Sequence, residues 1–142
     1  MKPNETKTDA NPTPATILVV DDNPINLKLV SDLLMFEGYR VLKAEDGEEA
    51  AASVEAEPPD LILLDVDLPG IDGLTLTKRL KSDQGTADIV IVALTAFAMK
   101  ADRERAMAAG CDAYVTKPID TRGLPAQVAE LLQRGKKEKH NH

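Results

Sequence analysis

Short runs of β-branched and leucine residues alternate along this chain with segments of helical periodicity, and this alternation strongly constrains the fold. The clearest runs are ILVV, LILL and IVIVAL, which are typical of strands. The run LILL is apolar on both faces, as expected for a central strand that helices cover on both sides. We predict five βα units that form a doubly wound α/β fold, with a parallel sheet of flavodoxin-like order 2-1-3-4-5.

Helix signals lie between these runs. Asn23 can cap a helix whose first position is Pro24, and Gly38 can take the left-handed conformation that ends it. The predicted strands cover residues 16–20, 39–43, 60–64, 89–94 and 113–116, and the later predicted helices cover residues 47–56, 74–81, 100–109 and 124–134.

Size and composition predict one domain. A chain of 142 residues with 43% hydrophobic content suits a single globular core, which we place at residues 15–134. Residues 1–14 are polar, and residues 135–142 are polar and basic. Both segments are predicted to be disordered tails. A single cysteine, Cys111, excludes an internal disulfide and is predicted to be a small buried side chain rather than a reactive thiol.

Charge and hydropathy exclude several kinds of partner. The formal net charge of −7 argues against direct binding to nucleic acid. No segment approaches the roughly 20 apolar residues of a membrane span, and the N-terminus lacks the apolar segment that a secretory signal requires. We therefore expect a cytoplasmic protein that binds neither membranes nor nucleic acid.

Acidic residues stand at the ends of two of the predicted strands. Asp21 and Asp22 follow ILVV, and Asp65 follows LILL. The carboxyl ends of neighbouring parallel strands meet at one sheet edge, where ligands bind between strands 1 and 3 of such a sheet. Repulsion among three carboxylates would be relieved by a hard cation, and we predict Mg²⁺. Strand 4 brings Thr95 to the same edge, and strand 5 brings Lys117.

These residue types suit the acceptance of a phosphoryl group. Asp65 is the predicted nucleophile, because a carboxylate can form an acyl phosphate. Asp21 and Asp22 would supply oxygen ligands to Mg²⁺. Thr95 would donate a hydrogen bond to a phosphoryl oxygen. Lys117 would pair with another phosphoryl oxygen and, before phosphorylation, with Asp65 itself.

Four motifs carry a family resemblance. The pair DD at 21–22, DVDLPGIDG from Asp65, LTAFA around Thr95 and YVTKPI around Lys117 resemble a bacterial two-component response-regulator receiver domain over about residues 15–134. The segment TAFAMKADRERAMAAGCDAYVTKPI, together with the expected lack of an output domain, resembles single-domain receivers of the cell-cycle polarity type.

The resemblance implies a function and further site residues. It implies that a histidine kinase or histidine phosphotransfer protein phosphorylates Asp65, and that the backbone carbonyl of Asp67 completes the Mg²⁺ ligands. It also implies that Thr95 moves toward the phosphoryl group while Tyr114 turns inward, and that the Lys117–Pro118 bond is cis, an isomer that X-Pro bonds tolerate. Such a protein signals by contact and is not expected to be an enzyme.

The route of output is a hypothesis about one face. The helix predicted at residues 100–109 has only Met107 as a large apolar anchor, so it should be held loosely and could shift. We predict that helix 4, strand 5 and helix 5 meet a downstream protein or a second copy, as a monomer or a weak phosphorylation-dependent dimer. Relay of phosphate to a histidine and allosteric control of a kinase both remain open.

Parts of the sequence are also compatible with two other functions. LLDVDLP also resembles the nucleophile motif of haloacid-dehalogenase-type phosphatases, in which Asp65 would attack phosphate and Asp67 would act as acid and base. Pro69 stands where that motif usually has Thr or Val, the motif lies mid-chain, and no later acidic pair follows strand 5. A non-phosphorylated interaction module is the third possibility, and the complete set of five site residues argues against it.

Overall fold

The structure is a computed structural model that describes residues 14–66, 73–96 and 100–140, the last six by their backbone alone. Within these residues, five strands form one parallel sheet of order β2-β1-β3-β4-β5, as predicted. The strands are β1 (Thr16–Val20), β2 (Arg40–Ala44), β3 (Leu61–Asp65), β4 (Val90–Thr95) and β5 (Ala113–Thr116). The helices are α1 (Pro24–Phe36), α2 (Gly47–Ala56), α3 (Gly73–Ser82), α4 (Lys100–Ala109) and α5 (Leu124–His140).

Helices cover both faces of the sheet, which explains why its central strands are apolar throughout. All five residues of β3 are buried. One core packs β1, β3 and β4 side chains such as Leu63 against α1 and α5. The other packs side chains such as Ile62 against α2, α3 and α4. Alternate residues of each strand therefore face opposite cores, the arrangement of a doubly wound sheet.

Local signals set the limits of α1. The Asn23 side-chain oxygen accepts hydrogen bonds from the backbone N–H groups of Ile25 (2.9 Å) and Asn26 (3.2 Å), so Asn23 caps the helix that Pro24 begins. Gly38 has a φ of +98°, the left-handed conformation that leads the chain out of the helix. Both predictions about this helix are confirmed.

The strands β2, β3 and β4 begin and end one residue later than predicted. Asp65 is the last residue of β3 and lies opposite Leu94 of β4. Thr95 is likewise the last residue of β4 and lies opposite Thr116 of β5. For β3 and β4 the reason is that backbone pairing continues through a polar residue when the neighbouring strand continues, so the apolar run ends before the strand does.

Helix α5 continues to His140, although we predicted its end at Arg134 and a disordered tail beyond it. The predicted end of the helix is therefore six residues too early. Lys and Glu make up most of that segment and are good helix formers, and basic residues near a helix C-terminus are favoured by its dipole. Residues 1–13 and 141–142, which belong to the two predicted tails, lie outside the described residues.

Helix α4 has the predicted bounds, but its predicted anchor is wrong. Met107 is 47% exposed, and the buried side chains of this helix are Ala106 and Ala109. A helix whose buried side chains are two alanines gains little hydrophobic stabilisation from packing. The predicted burial of Cys111 is confirmed. Among the described residues, we find no helix long and apolar enough to cross a membrane.

Candidate functional site

Three carboxylates meet at the carboxyl edge of the sheet. Asp21 follows β1 directly and Asp65 ends β3; both are 2% exposed, whereas Asp22 is exposed. One oxygen from each of the three carboxylates lies within 4.8 Å of the other two. Because β1 and β3 are parallel neighbours, their ends place these side chains together without any long loop. Such a close group of anions needs a compensating positive charge.

The backbone around Asp21 fixes its carboxylate. Oδ1 of Asp21 accepts a hydrogen bond of 2.9 Å from the backbone N–H of Asn23, and the N–H of Asp21 donates to the carbonyl of Ala44 at the end of β2. Burial raises the pKa of Asp21, and the nearby Asp65 charge adds to this, against the lowering effects of Asn23 and Lys117. A cation in the site would favour the ionised carboxylate.

Lys117 supplies a positive charge inside the group. Its Nζ donates a hydrogen bond of 2.9 Å to Oδ2 of Asp65 and lies 3.4 Å from Oδ2 of Asp21. Burial alone would lower the pKa of Lys117, but the hydrogen bond and the attraction to Asp65 and Asp21 outweigh burial, so its pKa is raised. The ammonium group therefore stays charged at neutral pH. The Lys117–Pro118 bond is cis, as predicted.

Thr95 and Tyr114 lie on the neighbouring strands. Thr95 is 2% exposed, and Tyr114 is half-buried on β5, where it pairs with Ala93 of β4. Both line a small cavity of about 30 Å³ beside α4, together with Ala106. The guanidinium carbon of Arg103, on α4, lies 5.4 Å from the centroid of the Tyr114 ring, within the range of a cation–π contact.

Gly73 was not identified from the sequence as a site residue. It begins α3, and a Cβ atom at this position would lie 2.6 Å from Cα of Val66 and 2.8 Å from the carbonyl oxygen of Asp65. Only glycine permits this approach of α3 to the end of β3. The sequence signal that could have identified it is a glycine directly before the predicted start of a helix and just after an acidic loop.

The donor set fits a hard divalent cation. Mg²⁺ binds oxygen ligands and commonly takes one or two carboxylates together with water and phosphate oxygens. Asp21, Asp22 and Asp65 offer such oxygens. Asp67, whose backbone carbonyl was predicted as a further ligand, lies outside the described residues. The structure therefore brings together the three predicted carboxylates and Lys117. The roles of these residues stay predictions.

Comparison with known proteins points to one family. A family model described as "Response regulator receiver domain" matches residues 17–129. Among curated proteins, the polar-differentiation response regulator DivK of Brucella anthropi is 44% identical over 106 residues, which is 75% of this chain and 86% of that protein. DivK of Brucella ovis is 44% identical over 104 residues, which is 73% of this chain and 85% of that protein.

Solved structures of receiver domains have a similar fold. A CheY-like response regulator receiver domain protein from Methanospirillum hungatei JF-1 has a TM-score of 0.83 and 31% identity, covering 89% of this chain and 99% of that one. The receiver domain of a sensor histidine kinase from Pseudomonas aeruginosa PAO1 has a TM-score of 0.74 and 36% identity, covering 86% and 97% of the two chains. That structure is described with a magnesium ion coordinated in its active site cleft.

Proposed function

Because this chain belongs to the response regulator receiver domain family of two-component signalling, we propose that it is a switch in which Asp65 accepts a phosphoryl group from a phosphohistidine. The donor would be a histidine kinase or a histidine phosphotransfer protein. The observation that carries the proposal is the pairing of the buried Asp65 carboxylate with Lys117 beside two further carboxylates. The phosphatase alternative is not favoured, because the matched family is one of signalling proteins.

The proposed reaction is a transfer between two proteins. An oxygen of the Asp65 carboxylate attacks phosphorus, the bond between phosphorus and the donor imidazole nitrogen breaks, and its electron pair returns to the imidazole. Lys117 neutralises part of the charge that accumulates as two anions approach. Thr95 is placed on the adjacent strand, where its hydroxyl can donate to a phosphoryl oxygen once the acyl phosphate has formed.

Asp21, Asp22 and Asp65 are the proposed magnesium ligands, with the carbonyl of Asp67 as a further candidate. Bound magnesium would offset the repulsion between the phosphoryl oxygens and the carboxylates. Asp21 needs this more than an exposed carboxylate would, because its burial disfavours the ionised form. Its hydrogen bond from the N–H of Asn23 keeps one oxygen oriented by the start of α1, so the carboxylate is positioned in advance.

We propose that the donor protein packs against α1. Ile25 (77% exposed), Leu29 (45%) and Phe36 (86%) are large exposed apolar side chains of this helix, and their spacing places them on one side of it. Exposed apolar surface of this kind is typical of an interaction site. The stripe begins three residues after Asp22, at the edge of the sheet where Asp65 lies. A helix of the donor packed along it would lie next to the acceptor site.

The output surface is proposed to be the face formed by α4, β5 and α5. Thr95 and Tyr114 line one cavity that reaches α4, so movement of the threonine toward a phosphoryl group would leave room for the tyrosine ring. The first half of α4 has no buried side chain. A helix with so little buried surface can change position at small cost. Binding of a downstream protein to this face would then depend on phosphorylation.

The test uses acetyl phosphate with and without Mg²⁺, followed by intact-mass measurement and mapping of the labelled residue. We expect one phosphoryl group on Asp65, dependent on Mg²⁺ and absent from Asp65→Asn. Asp88→Asn is the matched control, because Asp88 is an exposed carboxylate just before β4 at the opposite edge of the sheet.

Each other outcome contradicts the proposal. Steady release of inorganic phosphate over many turnovers, with no phosphoryl group retained on Asp65, would indicate a phosphatase. A parent chain that takes up no phosphoryl group would indicate a non-phosphorylated interaction module. Labelling of Asp65→Asn to the level of the parent would place the acceptor elsewhere in the chain.

A further inference from the structure

Helix α4 is buried at one end only. None of the side chains of residues 100–105 is buried, whereas Ala106 and Ala109 are 2% and 5% exposed. The N–H of Cys111, just past the helix, donates to the carbonyl of Ala106, and Cys111 itself is buried. The contacts that hold α4 to the domain are therefore concentrated at its C-terminal end.

Lys81 fastens this end to α3 and β4. Its Nζ donates to Oδ2 of Asp112 (2.9 Å) and to the carbonyls of Ile89 (2.7 Å) and Ala87 (3.2 Å). The same Asp112 oxygen accepts a hydrogen bond of 2.8 Å from the N–H of Ile91. One ammonium group thus joins the end of α3, the segment that enters β4 and the turn that follows α4.

The turn after α4 is shaped to fit the Lys81 side chain. Gly110 has a φ of +112°, and a Cβ atom at this position would lie 2.9 Å from Cγ of Lys81. Glycine therefore serves both the left-handed backbone and the close approach. We call Lys81, Gly110 and Asp112 the α3 latch. One helical turn before Lys81, Oγ1 of Thr77 lies 3.8 Å from the Cys111 sulfur. This is a second contact between α3 and the turn after α4.

The other end of α3 lies against the acceptor residue. Gly73 packs so closely on β3 that a Cβ atom there would lie 2.8 Å from the carbonyl oxygen of Asp65. Oγ1 of Thr77 donates to the carbonyl of Gly73 (2.8 Å), so Gly73, Thr77 and Lys81 follow one another on one side of α3. Eight residues of helix span about 12 Å. Helix α3 therefore connects Asp65 to the turn that ends α4.

We propose that α3 and its latch hold the C-terminal end of α4 fixed relative to Asp65, so that phosphorylation moves only the N-terminal half of α4. Gly110 belongs to the fixed end, and Lys81 is a positioning residue. The half that moves, residues 100–105, carries Arg103 against the Tyr114 ring and borders the cavity that Thr95 lines. Movement of Tyr114 would thus act on residues 100–105 and leave the C-terminal end of α4 in place.

This inference rests on the proposed function for its trigger, and its test separates the two. Backbone amide exchange is measured on the full chain with Mg²⁺, before and after acetyl phosphate treatment, for the parent, Lys81→Met and Lys78→Met. The methionine keeps the apolar stem that packs on Gly110 but loses the charged group. Lys78 is exposed on the same helix and is the matched control. Asp112→Asn provides a second variant that also removes the ion pair, in case Lys81→Met does not fold.

In the parent and in Lys78→Met, phosphorylation should change exchange in residues 100–105 and leave residues 106–112 as they were. In Lys81→Met, residues 106–112 should exchange about tenfold faster before phosphorylation, which corresponds to about 1.4 kcal/mol of local opening free energy. Phosphorylation should then change exchange along the whole helix. Lys81→Met and Lys78→Met should both still accept the phosphoryl group on Asp65.

Two results would overturn the inference: a phosphorylation response spread evenly along α4 in the parent, or parent-like protection of residues 106–112 in both Lys81→Met and Asp112→Asn. A parent chain that takes up no phosphoryl group would instead overturn the proposed function. In that case the exchange of residues 106–112 in the untreated variants would still decide whether the latch fixes this end.

Discussion

Nζ of Lys117 lies 2.9 Å from Oδ2 of Asp65 and, at 3.4 Å, is close enough to Asp21 to form an ion pair with it as well. One ammonium group therefore contacts two of the three carboxylates that form the acidic edge of the sheet. A bound divalent cation would neutralise the same carboxylates. The lysine and the metal would thus both stabilise this group of charges. Without one of them, the stability of the folded protein should depend more strongly on the other.

Replacement of Lys117 by methionine should reveal this dependence. Without a divalent cation, we expect the free energy of unfolding to fall by about 2 kcal/mol, because a hydrogen bond between charged groups is lost and the carboxylates repel one another. Added Mg²⁺ should raise the melting temperature of Lys117→Met more than that of the parent. Thermal unfolding with and without Mg²⁺ measures this, and Lys78→Met is the control. Equal shifts in Lys117→Met and the parent would contradict it.

Replacement of Asp22 by asparagine should weaken Mg²⁺ binding without disturbing the fold. Asp22 is exposed, so its charge adds to the attraction for a cation while contributing little to the core. Because affinity depends on the charge of the ligands, we expect the Mg²⁺ concentration for half-maximal phosphorylation by acetyl phosphate to rise about tenfold, or about 1.4 kcal/mol. Asp88→Asn should match the parent. An unchanged Mg²⁺ requirement in Asp22→Asn would exclude it as a ligand.

Truncation of the exposed apolar side chains of α1 should slow phosphoryl transfer from a protein donor but not from acetyl phosphate. In Ile25→Ala/Phe36→Ala, transfer from a phosphorylated histidine protein that labels the parent should slow about tenfold, since large apolar contacts dominate docking. Labelling by acetyl phosphate, which needs no docking surface, should be unchanged. Met107→Ala is the control, because Met107 is an exposed apolar side chain on α4. If the double variant accepted phosphate from the protein as fast as the parent, the donor would dock elsewhere.

Truncation of Tyr114 should uncouple phosphorylation from its response. Tyr114→Ala should accept the phosphoryl group on Asp65 as readily as the parent. The change of amide exchange in residues 100–105 should nevertheless disappear, because the ring that contacts Arg103 and lines the cavity is gone. Tyr114→Phe retains the ring and should keep the response. A full response in Tyr114→Ala would show that the signal reaches α4 by another route.

Much of the site could be predicted from the sequence because parallel strands end at one edge. Once ILVV and LILL were identified as neighbouring strands, the positions of Asp21 and Asp65 followed from topology, without knowledge of any loop. Asn23, Pro24 and Gly38 act through their own backbone preferences, so the limits of α1 were also predictable. These features depend on residues close in sequence or on the geometry of the sheet alone.

Other features depend on contacts between distant residues and could not be derived this way. The closeness of Gly73 to Asp65 and the ties of Lys81 to three segments arise only when α3 packs on the sheet. Met107 was expected to anchor α4 because it is the largest apolar residue of that helix, yet the helix turns two alanines inward. A hydrophobic pattern as weak as that of α4 does not specify which face is buried.

Burial of Cys111 predicts a specific dependence of stability on pH. Burial raises the pKa of this thiol, against the lowering effect of its contact with Thr77. In the unfolded chain the thiol ionises near its ordinary pKa of about 8.5, while in the folded protein it remains neutral to higher pH. Below a pH of about 8.5, the thiol is protonated in both the folded and the unfolded state, so its titration does not change the free energy of unfolding. Above it the unfolded state loses the proton first, so the free energy of unfolding falls, by at most about 1.4 kcal/mol per pH unit.

Cys111→Ala removes this titration and keeps a small apolar side chain. Denaturant unfolding between pH 7.5 and 9.5 should show a steeper loss of stability in the parent than in Cys111→Ala, whereas other titrating groups contribute equally to both. The folded parent should also react slowly with iodoacetamide at pH 8 and quickly once denatured, because the thiolate is the reactive form. Parallel pH profiles for the two proteins would mean that the thiol ionises alike in both states, which its 4% exposure argues against.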